Sequence, residues 1–203
     1  LSRYLGLQSA HKVAGQYQLD AEYFARIETI NFALQHDDGQ QTDELREADV
    51  VLVGISRTSK TPLSMYLSLE GLKVVNVPIV KGLPLSEKLF QIDQRKIFCL
   101  TIDPDALHKI RKNRLTRLGV DEGGEYADIN KVVDEVEWAN GLFAQNKRWP
   151  VFNVTGKALE EREREMRLQK QKDEAERQRR QREENMEAKE LDHELVAIRE
   201  HYL

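Results

Sequence analysis

The run from Ala48 to Leu63, Ala-Asp-Val-Val-Leu-Val-Gly-Ile-Ser-Arg-Thr-Ser-Lys-Thr-Pro-Leu, leaves a chain few ways to fold. Val50 to Val53 is a short, largely β-branched apolar run of the kind that makes a buried strand. Gly54 punctuates its end, and Lys60-Thr61-Pro62 opens an apolar-periodic helix, with proline in the first turn, where its missing N–H costs little. Written as G-x-x-x-x-S-K-T, the turn is a phosphate-binding loop with Ser59 where the usual pattern has its second glycine. Serine meets a steric cost at positive φ that glycine avoids.

The chemistry explains the residue types. Successive backbone N–H groups in such a turn form a concavity for phosphate oxygens, reinforced by the positive end of the following helix. Gly54, Ile55, Ser56, Arg57, Thr58, Ser59, Lys60 and Thr61 are therefore the candidate nucleotide-binding residues. Lys60 would set a point charge on the terminal phosphates, Thr61 would ligate Mg²⁺, and Arg57 would hold phosphate oxygens bidentately. The bland alternative is a Ser/Thr-rich connection between strand and helix that binds nothing.

Composition divides the chain in two. Up to Lys157 it reads as a globular α/β domain; from Ala158 to Leu203 there is no proline or glycine, and Glu, Arg, Lys and Gln dominate. That second region reads as a long charged helix, with many opposite charges three or four residues apart. Between Gln169 and Asn185 almost nothing is apolar, so a coiled-coil seam is excluded. Leu191, Leu195, Ile198 and Tyr202 form a terminal stripe, read either as a sticky end or as a partner-docking face. Net charge is −4 with the signs nearly balanced, so no basic face advertises a nucleic-acid partner. No apolar run approaches the roughly 18 residues of a membrane span, and no signal-peptide pattern is present. The single Cys99, inside an apolar run, excludes disulfides and suits a reducing, cytoplasmic setting as a buried inert thiol.

Leu1 to Gln18 is weakly patterned and reads as a short helix or loop. Asp20 is expected to cap a helix whose inward face is Tyr23, Ile27, Ile30 and Leu34, ending at His36-Asp37-Asp38-Gly39. Thr42 to Arg46 is a polar connection into the first strand. The helix after the phosphate loop is expected to end at Gly71. Lys73 to Val80 reads as a second strand, at an edge or ending early because of Pro78. Ser86 to Phe90 is at most two turns of helix. Lys96 to Ile102 is a third strand, followed by a helix from Asp103-Pro104 to Leu118 with Leu107, Ile110 and Leu118 inward, ended by Gly119. Asp121 to Glu125 is a turn. Tyr126 to Asn146 is a further helix, with Val132, Val133, Val136, Leu142 and Phe143 on its apolar side. Trp149 to Thr155 is a fourth strand. Strands alternating with helices imply βαβ crossovers and a mostly parallel α/β sheet.

Other residues suit the chemistry of phosphoryl transfer. Asp37 and Asp38 offer one carboxylate to hold Mg²⁺ and one to accept the nucleophile's proton, or are ordinary turn residues. Asp103 follows an apolar strand, where a second metal-binding acid often sits, and is equally a helix start. Arg111 and Arg114 are spaced as lid arginines or as a solvated basic face. His11, His108, His193 and His201 have no metal-ligand spacing.

Taken together, Gly54 to Ser64, Lys73-Val-Val-Asn-Val-Pro78, Leu100-Thr-Ile-Asp-Pro104 and Ile110-Arg-Lys-Asn-Arg114 resemble the pyruvate phosphate dikinase regulatory protein family, whose close relatives regulate phosphoenolpyruvate synthase. Tyr23 to Glu28, His36 to Gly39 and Asn153-Val-Thr155 are similar to it too, so the resemblance covers roughly Leu5 to Glu161. It implies a bifunctional enzyme. In one direction such proteins move phosphate from ADP to a threonine of the dikinase, near its catalytic histidine. In the other they use inorganic phosphate to remove it, releasing pyrophosphate. It further implies ADP, phosphate and Mg²⁺ as ligands, Lys60, Asp37 and Asp38 as catalytic candidates, and the dikinase, or else the synthase, as protein substrate. A homo-oligomer is compatible with it. The serine at position 59 resembles the dikinase-directed branch. The family normally carries a longer region ahead of the counterpart of Leu1, opening with a strand and a Ser-Asp-Gly-Thr-Gly segment, and a short terminus where this chain has its charged tail. Two other readings stay open: a phosphate-loop kinase of a small molecule, and a truncated, non-catalytic domain whose tail recruits a partner.

Overall fold

The computed structural model describes residues 21–37, 44–120 and 124–201. The expectations for Leu1 to Gln18, the Asp20 cap, Asp38, Gly39, Thr42 and residues 121–123 lie outside the described residues, as do Tyr202 and the side chains of Leu191, Leu195 and Ile198. The elements run α1 (Ala21–Gln35), β1 (Val50–Gly54), α2 (Lys60–Leu69), β2 (Val74–Pro78), two 3-10 turns (Glu87–Gln91 and Gln94–Lys96), β3 (Ile97–Thr101), α3 (Pro104–Leu118), a 3-10 turn (Glu125–Ala127), α4 (Ile129–Gln145), β4 (Val151–Asn153) and α5 (Leu159–His201).

All four strands pair in parallel, in the order β2-β1-β3-β4. β2, β3 and β4 are each shorter than the stretch that encodes them, while β1 extends one residue past its apolar run to include Gly54. Every residue of β1 is buried, which explains why its sequence is continuously apolar rather than alternating: a parallel sheet covered on both faces leaves no solvent side. Pro78 lies at the last position of β2, on the sheet edge, where its missing N–H interrupts no ladder. Phe98, Leu52, Leu63, Leu67, Leu107 and Phe143 belong to one continuous core between sheet and helices.

The order in which strands are laid down reverses between β1 and β3. From β1 the chain crosses to β2 on one side; after returning, it goes from β3 to β4 on the other. In open α/β sheets the crevice beyond the carboxyl ends of two such strands is where ligands bind. The turn after Gly54 lies there, and so does the helix start at Asp103.

Two helices present a different face from the expected one. On α1, Tyr23, Phe24, Ile27 and Leu34 are exposed, whereas Thr29, Phe32, Ala33 and the following His36 are buried. The inward set has the same helical spacing, but two of its members are polar and one is small. Thr29 Oγ1 donates to Ser68 O at 2.7 Å, linking α1 to α2, and His36 stacks on Phe32 with ring centroids 4.1 Å apart. On α3, Leu107 is buried, but Ile110 and Leu118 are 41% and 55% exposed, and Arg111 takes the inward position one turn beyond Leu107. The helix expected from Tyr126 starts only at Ile129, because Asp128 is extended and its carboxylate caps Lys131 N at 3.0 Å.

Gly71 and Gly119 terminate α2 and α3 with φ of 85° and 65°. The first turns of α5 pack back on the domain. Met166 is buried, and buried Arg162 donates from Nη2 to Val154 O at 2.8 Å. From Lys172 to Met186 almost every residue is exposed, with the i,i+4 ion pairs Arg179–Glu183 and Arg180–Glu176 typical of a solvated charged helix. Among the described residues no helix is long and apolar enough to cross a membrane.

Candidate functional site: a phosphate loop and its acid

The turn between β1 and α2 is a tied loop rather than an open connection. Buried Thr58 donates from Oγ1 to Ile55 O at 2.9 Å. Lys60, 8% exposed, folds back and donates from Nζ to Gly54 O and Ile55 O, both at 2.9 Å. Gly54 O also accepts from Ile79 N at 3.1 Å, so the last residue of β1 is held from two directions. Its own lack of a side chain is required: a Cβ there would lie 2.7 Å from Thr58 Oγ1 and 2.9 Å from Leu100 O. Ser59, the N-cap of α2, adopts φ 60° and ψ 27°, the left-handed conformation that the usual glycine takes without penalty. Arg57 is also left-handed, at φ 70°, a feature that its side chain does nothing to signal.

The acid side of the site comes from the end of α1. Thr61 Oγ1 donates to Asp37 Oδ1 at 3.1 Å. Asn76, buried in the middle of β2, donates from Nδ2 to the same Asp37 oxygen at 2.6 Å and to Ser64 Oγ at 3.1 Å. Asn76 N donates in addition to His36 O at 3.2 Å, so backbone and side chain of one strand residue fix the segment that carries Asp37. Ser64 Oγ in turn donates to Thr61 O at 2.9 Å. Asp37 therefore stands at the loop, beside the threonine that follows Lys60. Asn76 and Ser64 lie in the stretches that carry the family resemblance but are not among the site residues expected from the sequence, though Asn76 is the one polar residue of the Val-Val-Asn-Val-Pro strand.

The other candidates separate. Asp103 is the N-cap of α3: its Oδ1 accepts from Asp105 N at 3.0 Å and Ala106 N at 3.2 Å, which is the helix-start role. Arg111 and Arg114 do not share an environment. Arg114 is exposed, while Arg111 is 3% exposed and paired with Glu135 through Nη1 at 2.6 Å. Cys99 is buried, and burial pushes its thiol pKa up, as an inert core thiol requires. Among the described residues no three His, Cys, Asp or Glu side chains group as a metal site.

Residues 1–166 match the family model for kinase/pyrophosphorylase. The chain belongs to the kinase/pyrophosphorylase family. The match ends at Met166, the last buried residue of α5 among those described. A relative from Bdellovibrio bacteriovorus, provisionally named a pyruvate, phosphate dikinase regulatory protein, is 53% identical over 161 residues, covering 79% of this chain and 57% of its own length. A similarly named relative from Geobacter metallireducens is 47% identical over 161 residues, covering 79% of this chain and 60% of its own. A chloroplastic relative with the same kind of name from Oryza sativa is 53% identical over 145 residues, covering 71% and 31%. The chain thus spans well under two thirds of the length of the curated relatives it matches.

Proposed function

We propose that this chain carries the nucleotide site of a bifunctional regulator of pyruvate phosphate dikinase, with phosphoenolpyruvate synthase as the alternative target. In the forward direction it moves the terminal phosphoryl group of ADP to a threonine of its protein substrate. In the reverse direction inorganic phosphate removes that group as pyrophosphate. The observation that carries this reading is the placing of Asp37 against Thr61 at 3.1 Å, immediately beside the tied loop and Lys60. Membership of the kinase/pyrophosphorylase family supports it.

Thr61 and Asp37 present one hydroxyl and one carboxylate to the loop. That set suits a small hard cation that keeps several waters and takes its remaining ligands from phosphate oxygens, so the residues fit Mg²⁺. When bound, Mg²⁺ supplies charge neutralisation on the phosphates. The rest is done by the chain. Backbone N–H groups of the loop and the ammonium of Lys60 hold the phosphate that is transferred, and exposed Arg57 adds a planar cation at the rim. Gly54 O and Ile55 O keep the buried Lys60 ammonium aligned in the loop. Asn76 and Thr61 both donate to one oxygen of Asp37, which keeps that carboxylate turned toward the loop. Asp37 then serves the cation, and Asp38, which lies outside the described residues, remains the candidate acceptor for the threonine proton.

The threonine oxygen forms a bond to the terminal phosphorus of ADP, the bridging P–O bond breaks, AMP leaves, and the hydroxyl proton passes to the carboxylate. In the reverse direction a phosphate oxygen forms a bond to phosphorus of the phosphothreonine, the P–O bond to threonine breaks, and the threonine oxygen regains a proton as pyrophosphate forms. One loop serves both directions. Lys60→Ala is therefore expected to abolish both activities, measured as phosphothreonine formation with ADP and pyrophosphate release with phosphate. Either activity at the wild-type rate would refute a shared phosphate site.

A further inference from the structure

The left-handed Arg57 needs something to hold it there. A non-glycine residue in that region costs free energy and persists only where its surroundings over-determine it. The peptide that sets φ of Arg57 is the one whose carbonyl is Ser56 O, and this oxygen accepts a hydrogen bond from Arg111 Nη2 at 3.2 Å. Arg111 reaches the loop from α3 and is itself fixed. Its Nη1 donates to Glu135 Oε2 on α4 at 2.6 Å and to Tyr126 O at 3.2 Å, and its guanidinium lies 4.7 Å from the centroid of the Tyr126 ring. Tyr126 OH approaches Ser56 Oγ at 3.5 Å, a second and weaker link to the same loop residue. Glu135 supplies the opposite charge that a guanidinium this buried needs, and Tyr126 O and Ser56 O accept from its Nη groups, while its Nε has no partner among the described residues. Its planar fork lets one side chain engage a carboxylate and a carbonyl at once, which a lysine ammonium on a flexible stem does not reproduce.

We infer that Arg111 and Glu135 are positioning residues for the phosphate loop: a buried pair, spanning two helices, that holds the Ser56–Arg57 peptide and so keeps the strained crest of the loop in its phosphate-accepting conformation. Arg111 acts on the loop backbone and not on the phosphate. The inference rests on the reading of Gly54–Thr61 as a phosphate site, and goes beyond it by naming what shapes that site from outside.

The test uses the full chain and three variants, Arg111→Lys, Glu135→Gln and Arg57→Gly, with the double variant of the first and last. In ligand-free protein, Arg111→Lys should speed amide hydrogen exchange at residues 56–60 by roughly 10-fold or more, the scale of one hydrogen bond from a charged group, with exchange in β1 unchanged. Glu135→Gln should do the same more weakly, which keeps the question open to a folded protein if Arg111→Lys does not fold. Weakening of ADP and phosphate binding should follow the loop exchange. Glycine at position 57 removes the penalty that the pair opposes, so Arg111→Lys should cost a much smaller factor in an Arg57→Gly background than in wild type. Loop exchange unchanged by both Arg111→Lys and Glu135→Gln overturns the inference, as does an equal loss in the two backgrounds. Wild-type protein that binds neither ADP nor phosphate would refute the phosphate-site reading instead, while loop exchange would still decide whether the pair clamps the loop.

Discussion

Gly54→Ala puts the geometry of the loop at its most exacting. The added Cβ would lie 2.7 Å from Thr58 Oγ1, 2.9 Å from Leu100 O and 3.4 Å from Leu100 Cβ. Neither close neighbour can yield cheaply. Leu100 O is backbone in β3, which is laddered between β1 and β4. Thr58 is fully buried, and its Oγ1 is engaged with Ile55 O at 2.9 Å, so turning it away breaks a loop tie. Overpacking of this kind costs about 1–3 kcal/mol, and the lost tie adds about 1 kcal/mol. A total of about 2–4 kcal/mol corresponds to a fall in Tm of roughly 4–16 °C for a domain of this size. Gly71→Ala is the matched control. It has φ 85° but nothing within 4 Å of the added Cβ, so it should cost about 1 kcal/mol of backbone strain and leave the loop alone. Calorimetry and ADP titration of both variants make the comparison. Gly54→Ala should lose stability and ADP affinity together; Gly71→Ala should lose a little stability only. A Gly54→Ala protein with wild-type Tm and wild-type ADP affinity would refute the packing argument.

Asn76→Leu should separate function from stability, because it removes the donor to Asp37 together with a buried Oδ1 that has no partner. Tm should change little while phosphoryl-transfer rate falls about 10-fold, and an unchanged rate would show that Asp37 needs no such support. Asp93 tests the electrostatics far from the site. Hydrogen bonds from the Arg95 side chain hold its pKa down to about 2 from an ordinary 3.8, so its stabilising effect is complete above 3.8 and is lost as pH falls toward 2. Wild type should melt above Asp93→Asn at neutral pH by a small margin, given how exposed the pair is, and that margin should close over this acidic window; a margin that persists below it would contradict the assignment.

What the sequence made legible follows from where single residues carry their own physical signal. The strands at Val50 and Ile97 announced themselves because a sheet covered on both faces demands unbroken apolar runs. Ser59 was readable as a left-handed position because the spacing of a phosphate loop puts a glycine there, and the observed φ of 60° bears this out. Gly71 and Gly119 marked helix ends for the same conformational reason. The helix faces misled where burial was decided by partners rather than by hydropathy. Thr29 is inward because Ser68 O receives its hydroxyl, and Arg111 because Glu135 receives its charge, while Tyr23 and Ile110 stay outside. Arg57 gave no hint of its backbone, since arginine has no bias toward positive φ. Asp37 was legible as a candidate acid, but its place beside Thr61 depends on Asn76, 39 positions away in sequence and brought to it because the fold sets β2 next to the end of α1.

The central claim is that this loop takes the terminal phosphate of ADP for transfer to a protein threonine. It is tested most directly by incubating the chain with Mg²⁺, pyruvate phosphate dikinase and ADP labelled in its terminal phosphate, beside ATP labelled likewise, and following label into phosphothreonine. Label should pass to the dikinase from ADP and not from ATP, and Lys60→Ala should lose it. Transfer from ATP alone, or transfer from ADP that survives Lys60→Ala, would contradict the claim.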